Sequence, residues 1–299
     1  MKIAVMGAGA VGCYFGAMLA KAGHDVILIA RPMHAKAIAR QHGLLFESGG
    51  FHDVVPLQAT IEPSGVAGAD IVLFCVKSAD TQPAARSIAP HLTSHAALLC
   101  LQNGVDNAER LQAAIGRAAI QSAVYVAAEM AGPGHLRHHG RGELIIGASP
   151  ASADIAARFS EAAIPTRVSD RVIDELWAKL IVNCAYNALS AVPHLPYRRV
   201  IAVAGVTDVI RNVVDECVAV ATALGVDVPK DICGRVLALA GTIPNQYSST
   251  AQDLARGKPT EIDYLNGYVV RKAAELSIPA PSNLALQVMV KLREEAMAG

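Results

Sequence analysis

The hexapeptide Gly7-Ala-Gly-Ala-Val-Gly12 constrains the fold of this chain more than any other stretch. It follows directly on Lys2-Ile-Ala-Val-Met6, an apolar run suited to a buried parallel strand. Cys13 to Ala22 then reads as a helix stopped by Gly23, and Asp25-Val-Ile-Leu-Ile-Ala30 as a second buried strand. Gly7 permits a tight turn, Gly9 lets backbone approach a pyrophosphate, and Gly12 lets helix pack on strand. Ala8, Ala10 and Val11 complete the loop, whose N–H groups offer the positive end of the helix dipole to an anion. A lone G-x-G-x-x-G says little. Between strand and helix, in a unit of about thirty residues, it specifies a dinucleotide site. The uncharged stretch from Ile3 to Ala20 also resembles a short signal peptide, but the glycine spacing suits the turn better.

At the end of the second strand stands Ala30-Arg31, where an NAD-binding unit normally carries Asp or Glu for the ribose hydroxyls. A neutral residue followed by Arg31 removes a carboxylate that would repel a 2′-phosphate and adds a cation that can pair with it. This predicts a preference for NADP(H); a solvated surface arginine fits the same residue. Alternation of strand and helix continues. Ala69 to Val76 is a buried strand ending in Lys77-Ser78, with helix signals from Thr81 to Ile88. Ala96 to Leu101 is another, ending in Gln102-Asn103-Gly104, with a helix from Val105 to Ile115 and a strand from Ala118 to Ala128. Ligands of open α/β sheets lie off the carboxyl ends of strands, which singles out Lys77 and Asn103. For Asn103-Gly104 a plain turn is the competing reading. Gly132 to Gly147 reads as a hairpin edge. Its His135, His138 and His139 lack a closed ligand set, so no metal is expected.

From Asp170 onward the alternation stops. An α/β, Rossmann-type dinucleotide-binding domain over 1–168 is therefore expected to precede an all-α domain over 169–299. Helices are predicted at 170–191, 199–224, 229–242, 246–256, 260–276 and 282–297, punctuated by prolines, with Thr260 as an N-cap. The first carries Leu176, Trp177, Leu180, Ile181, Val182, Cys184, Ala185 and Tyr186, and is apolar on nearly every side. Down one line, four residues apart, run Glu175, Lys179, Asn183 and Asn187. Buried without partners such groups cost several kcal/mol each, so the seam must meet polar groups, water or a ligand. A surface Glu175–Lys179 pair with two solvated amides satisfies the pattern equally well.

Composition narrows the remaining classes. Lys plus Arg and Asp plus Glu number 26 each without long single-sign runs, which leaves nucleic acid and anionic membranes without an electrostatic footprint. No stretch is long and apolar enough to span a bilayer, and the six cysteines sit mostly in apolar segments without ligand spacing. A cytoplasmic protein with thiols in a reducing compartment is expected; a homodimer is left open.

The ordered set of motifs resembles the ketopantoate reductases (2-dehydropantoate 2-reductases), NADPH enzymes of the pantothenate pathway. The glycine turn with Arg31, Val76-Lys77, Gln102-Asn103-Gly104, Lys179-x3-Asn183-x3-Asn187, Ser249-x3-Asp253 and Thr260-Glu261-Ile-Asp-x2-Asn-Gly267 carry the resemblance across nearly the whole chain. It implies reduction of ketopantoate to pantoate in an interdomain cleft, with Lys179 as proton donor. It implies that Asn183, Asn187 and Ser249 hold the substrate. Lys77, Asn103 and Glu261 would lie at the cofactor or between cofactor and substrate, and Ala128 against the cofactor. The chain departs from many members at Ala188, where they have proline, and at Leu195-Pro-Tyr-Arg198, where they have a Pro-Asn-Gly-type turn that touches substrate. Reduction of a different small 2-keto acid, and a non-catalytic NADP-sensing role, are the alternatives. The amine at Lys179 speaks against the sensor.

Overall fold

The structure, a computed structural model, describes residues 1–298 and divides into two compact units, Met1–Val172 and the chain from Ile173 onward. The first unit runs β1 (Lys2–Met6), α1 (Ala10–Lys21), β2 (Asp25–Ile29), α2 (Pro32–Gln41), β3 (Leu44–Ser48), β4 (Phe51–Val55), β5 (Gln58–Thr60), β6 (Ile71–Phe74), α3 (Thr81–Ile88), β7 (Ala97–Cys100), α4 (Asn107–Ile115), β8 (Ile120–Gly132), β9 (His135–Gly147), α5 (Ser152–Glu161) and β10 (Thr166–Ser169). One sheet takes the order β4-β3-β9-β8-β7-β6-β1-β2-β5, with β10 also on β9. From β5 to β7 every pairing is parallel.

The parallel half is buried on both faces, which is why its strands read as unbroken apolar runs. Ile3, Val5, Leu28, Leu73 and Leu99 point into a core shared with Phe15 and Leu19 of α1 and Ile155 and Phe159 of α5. The alternate residues Ala4, Val72, Phe74 and Leu98 pack with Ala85 and Ile88 of α3 and Ala108 and Leu111 of α4. Burial of one such side chain contributes roughly 1.5–3 kcal/mol, so this double layer dominates the stability of the unit. Cys13 and Cys100 belong to these layers: burial pushes both thiols up to about 12, which makes them inert packing residues.

Two strand expectations change. The expected strand end at Ala128 moves to Gly132, because β8 goes on pairing antiparallel with β9 to that point. The expected hairpin edge is an interior strand: β9 pairs with β8 on one side and with β3 and β10 on the other. The β3–β4 hairpin turns at Gly49-Gly50, both at positive φ, and buries Leu44 and Phe46. The histidines are absorbed by this sheet. His135 Nε2 lies 3.2 Å from Glu47, His138 Nδ1 2.8 Å from Ser48 Oγ, and His139 Nε2 3.2 Å from Glu129.

Beginning at the junction, α6 (Val172–Ala191) leads into α7 (Tyr197–Ile201), α8 (Val206–Ala223), α9 (Ile232–Thr242), α10 (Ser249–Ala255), α11 (Asn266–Glu275) and α12 (Pro281–Ala298). The helix expected over 199–224 is two, because Gly205 at φ 84° breaks the chain and becomes the N-cap of α8. The helix expected to start at Thr260 is also deferred. Thr260 Oγ1 accepts the Ile262 N–H at 3.3 Å over a single 3-10 turn, Ile262–Tyr264, and α11 starts only at Asn266. Buried Asn266 explains the delay: its amide donates to the Cys184 carbonyl of α6 (3.1 Å) and to Asn283 Oδ1 (3.0 Å). Asn283 in turn donates to Glu216 of α8, whose carboxylate accepts the Ser282 and Asn283 N–H groups at the start of α12. No helix among the described residues is long and apolar enough to cross a membrane.

Candidate functional site

In the first unit all the candidate residues but Ala128 collect at the carboxyl ends of four adjacent parallel strands, β2, β1, β6 and β7. Gly7 sits at φ 104°, and a Cβ there would lie 2.7 Å from the Val76 nitrogen and 2.8 Å from the Cys75 carbonyl carbon. The turn is therefore pressed against the segment that delivers Lys77. A Cβ at Gly12 would lie 2.3 Å from the Gly7 carbonyl oxygen and 2.8 Å from Val5 Cγ1. Both glycines serve internal packing.

Gly9 differs. It is the N-cap of α1 at φ −83°, ψ −171°, a conformation open to any residue, and a Cβ there meets nothing within 4 Å. No side chain caps α1 and no acidic residue stands in its first turn. Ala8 N–H is bonded to the Ile29 carbonyl and Cys13 N–H to Gly9. The start of α1 at Ala10, Val11 and Gly12 thus offers unsatisfied N–H groups beside open space, and these residues fit a pyrophosphate.

Arg31 is the N-cap of α2, exposed, with its guanidinium 3.7 Å from the Asp80 carboxylate. Lys77, half-buried, precedes a 3-10 turn, Ser78–Asp80, that runs into α3. Asn103 follows β7, and its carbonyl accepts from the Asn107 amide at 2.5 Å. The two loops are locked by a buried polar cluster that sequence reasoning missed. Gln102 donates to the Val76 carbonyl (3.0 Å) and to Thr81 Oγ1 (2.8 Å), and Asn107 donates to Ser78 Oγ (3.0 Å). Polar residues directly after apolar strands were the available signal. Ala128 stands apart from the loops, on β8 opposite His138 at a register shift, packed against the core.

In the second unit α6 carries Glu175, Lys179, Asn183 and Asn187 together. Leu176, Trp177, Leu180, Ile181, Cys184, Ala185 and Tyr186 are all buried, and Trp177 meets Tyr268 edge to face. Glu175, Lys179 and Asn183 are half-buried, while Asn187 is only 1% exposed. Asn187 Nδ2 is buried and finds no acceptor among the described residues. An unmet buried donor of this kind costs about 1–3 kcal/mol.

Two further segments are packed onto α6 near that amide. Ile262 shares a small apolar cluster with Ala188 and Val290, and Glu261 (9% exposed) precedes it in the chain, while Ala251 and Leu254 of α10 cluster with Ala191. Ser249 is exposed at the first position of α10. Its neighbour Ser248, which the sequence reading passed over, is the buried cap: Oγ accepts the Ala251 N–H and donates to the Asn187 carbonyl, each at 3.0 Å. A serine immediately before a helix was the available signal. Ser190 Oγ donates to Leu195 and accepts from Ser248 N–H, so it ties the departing turn, Leu195 to Arg198, to the same helix.

A parallel-sheet unit with a glycine loop shaped for a dinucleotide, followed by an all-α unit with amine and amides along one helix, defines a two-unit dinucleotide-binding protein of the oxidoreductase kind. The sequence matches the family model "Ketopantoate reductase PanE/ApbA" over residues 3–151, and "Ketopantoate reductase PanE/ApbA C terminal" over residues 171–294. A 2-dehydropantoate 2-reductase of Pyrococcus abyssi is 33% identical, with 98% of each chain covered. The crystal structure of a PanE/ApbA family ketopantoate reductase from Ralstonia eutropha is 54% identical, with a TM-score of 0.97 over 100% of both chains. D-mandelate dehydrogenase in a ternary structure with NADH and anilino(oxo)acetate is 24% identical and shares the fold, at TM-score 0.91 over 100% of both chains. The chain belongs to the ketopantoate reductase family.

Proposed function

We propose that this protein reduces 2-dehydropantoate (ketopantoate) to pantoate with NADPH, a step of pantothenate and coenzyme A biosynthesis. Family membership supports the substrate and the cofactor. The observation that carries the chemistry is the line of Glu175, Lys179, Asn183 and Asn187 along α6, with an amine and two amides on an otherwise apolar helix.

The Gly7–Gly12 loop holds the pyrophosphate, Arg31 the 2′-phosphate, and Lys77, Asn103, Ala128 and Glu261 the remainder of the cofactor. Bound nicotinamide supplies the hydride. Negative charge then develops on the ketone oxygen, and the Lys179 amine stabilises that oxygen and delivers a proton to it. A free lysine, with a pKa of about 10.4, is a reluctant donor, so its surroundings on α6 decide its strength. Glu261 orients the amine. Asn183, Asn187 and Ser249 bind the carboxylate and hydroxyl of the keto acid without adding charge beside the lysine. A small soluble keto acid needs no membrane or nucleic-acid partner, and the protein carries out this step in the cytoplasm.

Loss of nicotinamide absorbance on adding ketopantoate, compared with 2-keto acids of other shapes, tests the reaction directly. Comparable turnover of every keto acid, or of none, would overturn the substrate. Arg31→Ala should weaken NADPH tenfold or more, because a charge-assisted contact is worth about 1.5–3 kcal/mol, and leave NADH nearly unchanged. Equal weakening of both in a binding titration counts against Arg31. Asn187→Ala should raise KM for the keto acid more than it lowers kcat, while the truncation also opens a small buried space. A stability loss with unchanged KM would remove the amide from substrate binding.

A further inference from the structure

We propose that Asp80 is a specificity-determining residue for the cofactor, a carboxylate that opposes the 2′-phosphate received by Arg31 and so moderates the preference for NADPH over NADH. The inference rests on the reading of Arg31 given above. Arg31 and Asp80 come from opposite sides of β1: one follows β2, the other closes the turn after β6. Their charged atoms, Nη2 and Oδ2, stand 3.7 Å apart in the same unit that carries the glycine loop. Asp80 also occupies the N-cap position of α3, where a carboxylate ordinarily accepts a backbone N–H. It makes no such bond. The side chain lies against Arg31 instead.

Folding does not account for this choice. The two side chains are 74% and 51% exposed, and a pair so solvated contributes next to nothing to stability. The juxtaposition does have a consequence for a dianion. A phosphate oxygen bonded to Arg31 Nη2 at a charge-assisted distance of about 2.8 Å lies within about 6.5 Å of Asp80 Oδ2, given the 3.7 Å between the two charged atoms. For a phosphate of charge about −1.5 to −2, repulsion at that separation in the water-like dielectric around two such exposed side chains weakens binding by roughly five- to tenfold. The unphosphorylated ribose carries hydroxyl donors and no charge, so NADH suffers no such penalty. Attraction from Arg31 and repulsion from Asp80 thus act on one group of the cofactor, and only the balance appears as selectivity.

Fluorescence titration of NADPH and NADH against the wild-type chain, Asp80→Asn and Arg31→Ala tests the proposal, with a thermal melt to confirm folding. Asp80→Asn should tighten NADPH about five- to tenfold without tightening NADH, and the gain should shrink in high salt as the charges are screened. Unchanged or weaker NADPH binding by Asp80→Asn, with Arg31→Ala still selectively impaired, overturns the role of Asp80 and leaves Arg31 in place. If Arg31→Ala weakens both cofactors alike, the Arg31 reading fails and the proposal with it. Equal tightening of both cofactors by Asp80→Asn also overturns it, because the carboxylate would then be acting on a shared part of the dinucleotide.

Discussion

Lys179→Ala should fold, bind NADPH like the wild-type chain and lose roughly 10²–10⁴-fold in kcat, the usual contribution of a positioned general acid. The expectation follows from where the residue stands. On α6 it is flanked by buried Leu176, Trp177 and Leu180, with Asn183 and Asn187 one and two turns further along the same line. Removing the amine leaves the apolar packing of the helix intact, so stability should change little. On the proposed role, the ketone oxygen loses its charge partner and its proton source together, which would strike the transition state and not the bound substrate. The decisive measurement is kcat at saturating NADPH and keto acid, per folded molecule. A loss under about tenfold, or 1.4 kcal/mol of barrier, would exclude Lys179 from the mechanism.

The second large effect separates two glycines that look alike in the sequence. Gly12→Ala places a methyl 2.3 Å from a backbone oxygen and 2.8 Å from Val5, neither of which can swing away as the end of a long side chain would. Overpacking of this kind costs about 1–3 kcal/mol, and with a backbone atom as obstacle the upper end is expected. The melting temperature should fall, and NADPH binding with it, because α1 can no longer seat on β1. Gly9→Ala should do the reverse. Its φ and ψ suit alanine and the methyl enters open space, so the fold should be unharmed or slightly firmer. NADPH should nevertheless bind at least about tenfold more weakly, a 1.4 kcal/mol loss, because the methyl stands where the pyrophosphate approaches. Melting curves and cofactor titrations on both variants distinguish the cases. If Gly9→Ala binds NADPH normally, the pyrophosphate lies elsewhere.

Most of the architecture was legible because local signals agreed with tertiary demand. The strand–glycine turn–helix unit, the buried strands ending at Lys77 and Asn103, and the change to an all-α texture each follow from residue spacing alone. Failures occurred where long-range contact decided. Nothing local in Gly132 to Gly147 announces that β3 will cover β9, and the strand became interior only through pairing with residues about ninety positions earlier. Nor could periodicity place the start of α11, which waits for Asn266 to reach the Cys184 carbonyl. Among site residues, the α6 line was readable because helical spacing puts its members on one face. Ser248 and Asp80 were not. One acts through a hydrogen bond to a carbonyl sixty-one residues away, and the other faces a partner brought near by a sheet crossing.

The strand β8 has a consequence for how the first unit comes apart. Its first residues, Ile120 and Gln121, continue the parallel ladder from β7, and the remainder pairs with β9 in the opposite sense. A single strand stitched into both ladders cannot leave one without tearing the other. The nucleotide half and the β9–β3–β4 layer should accordingly open to solvent as one cooperative block, not as separate subdomains. Cofactor held at the glycine loop then slows amide exchange as far away as the β3–β4 hairpin, because ligand bound only to the closed block stabilises every part of it equally. The reach of the cofactor through the sheet is set by shared backbone and needs no movement of side chains.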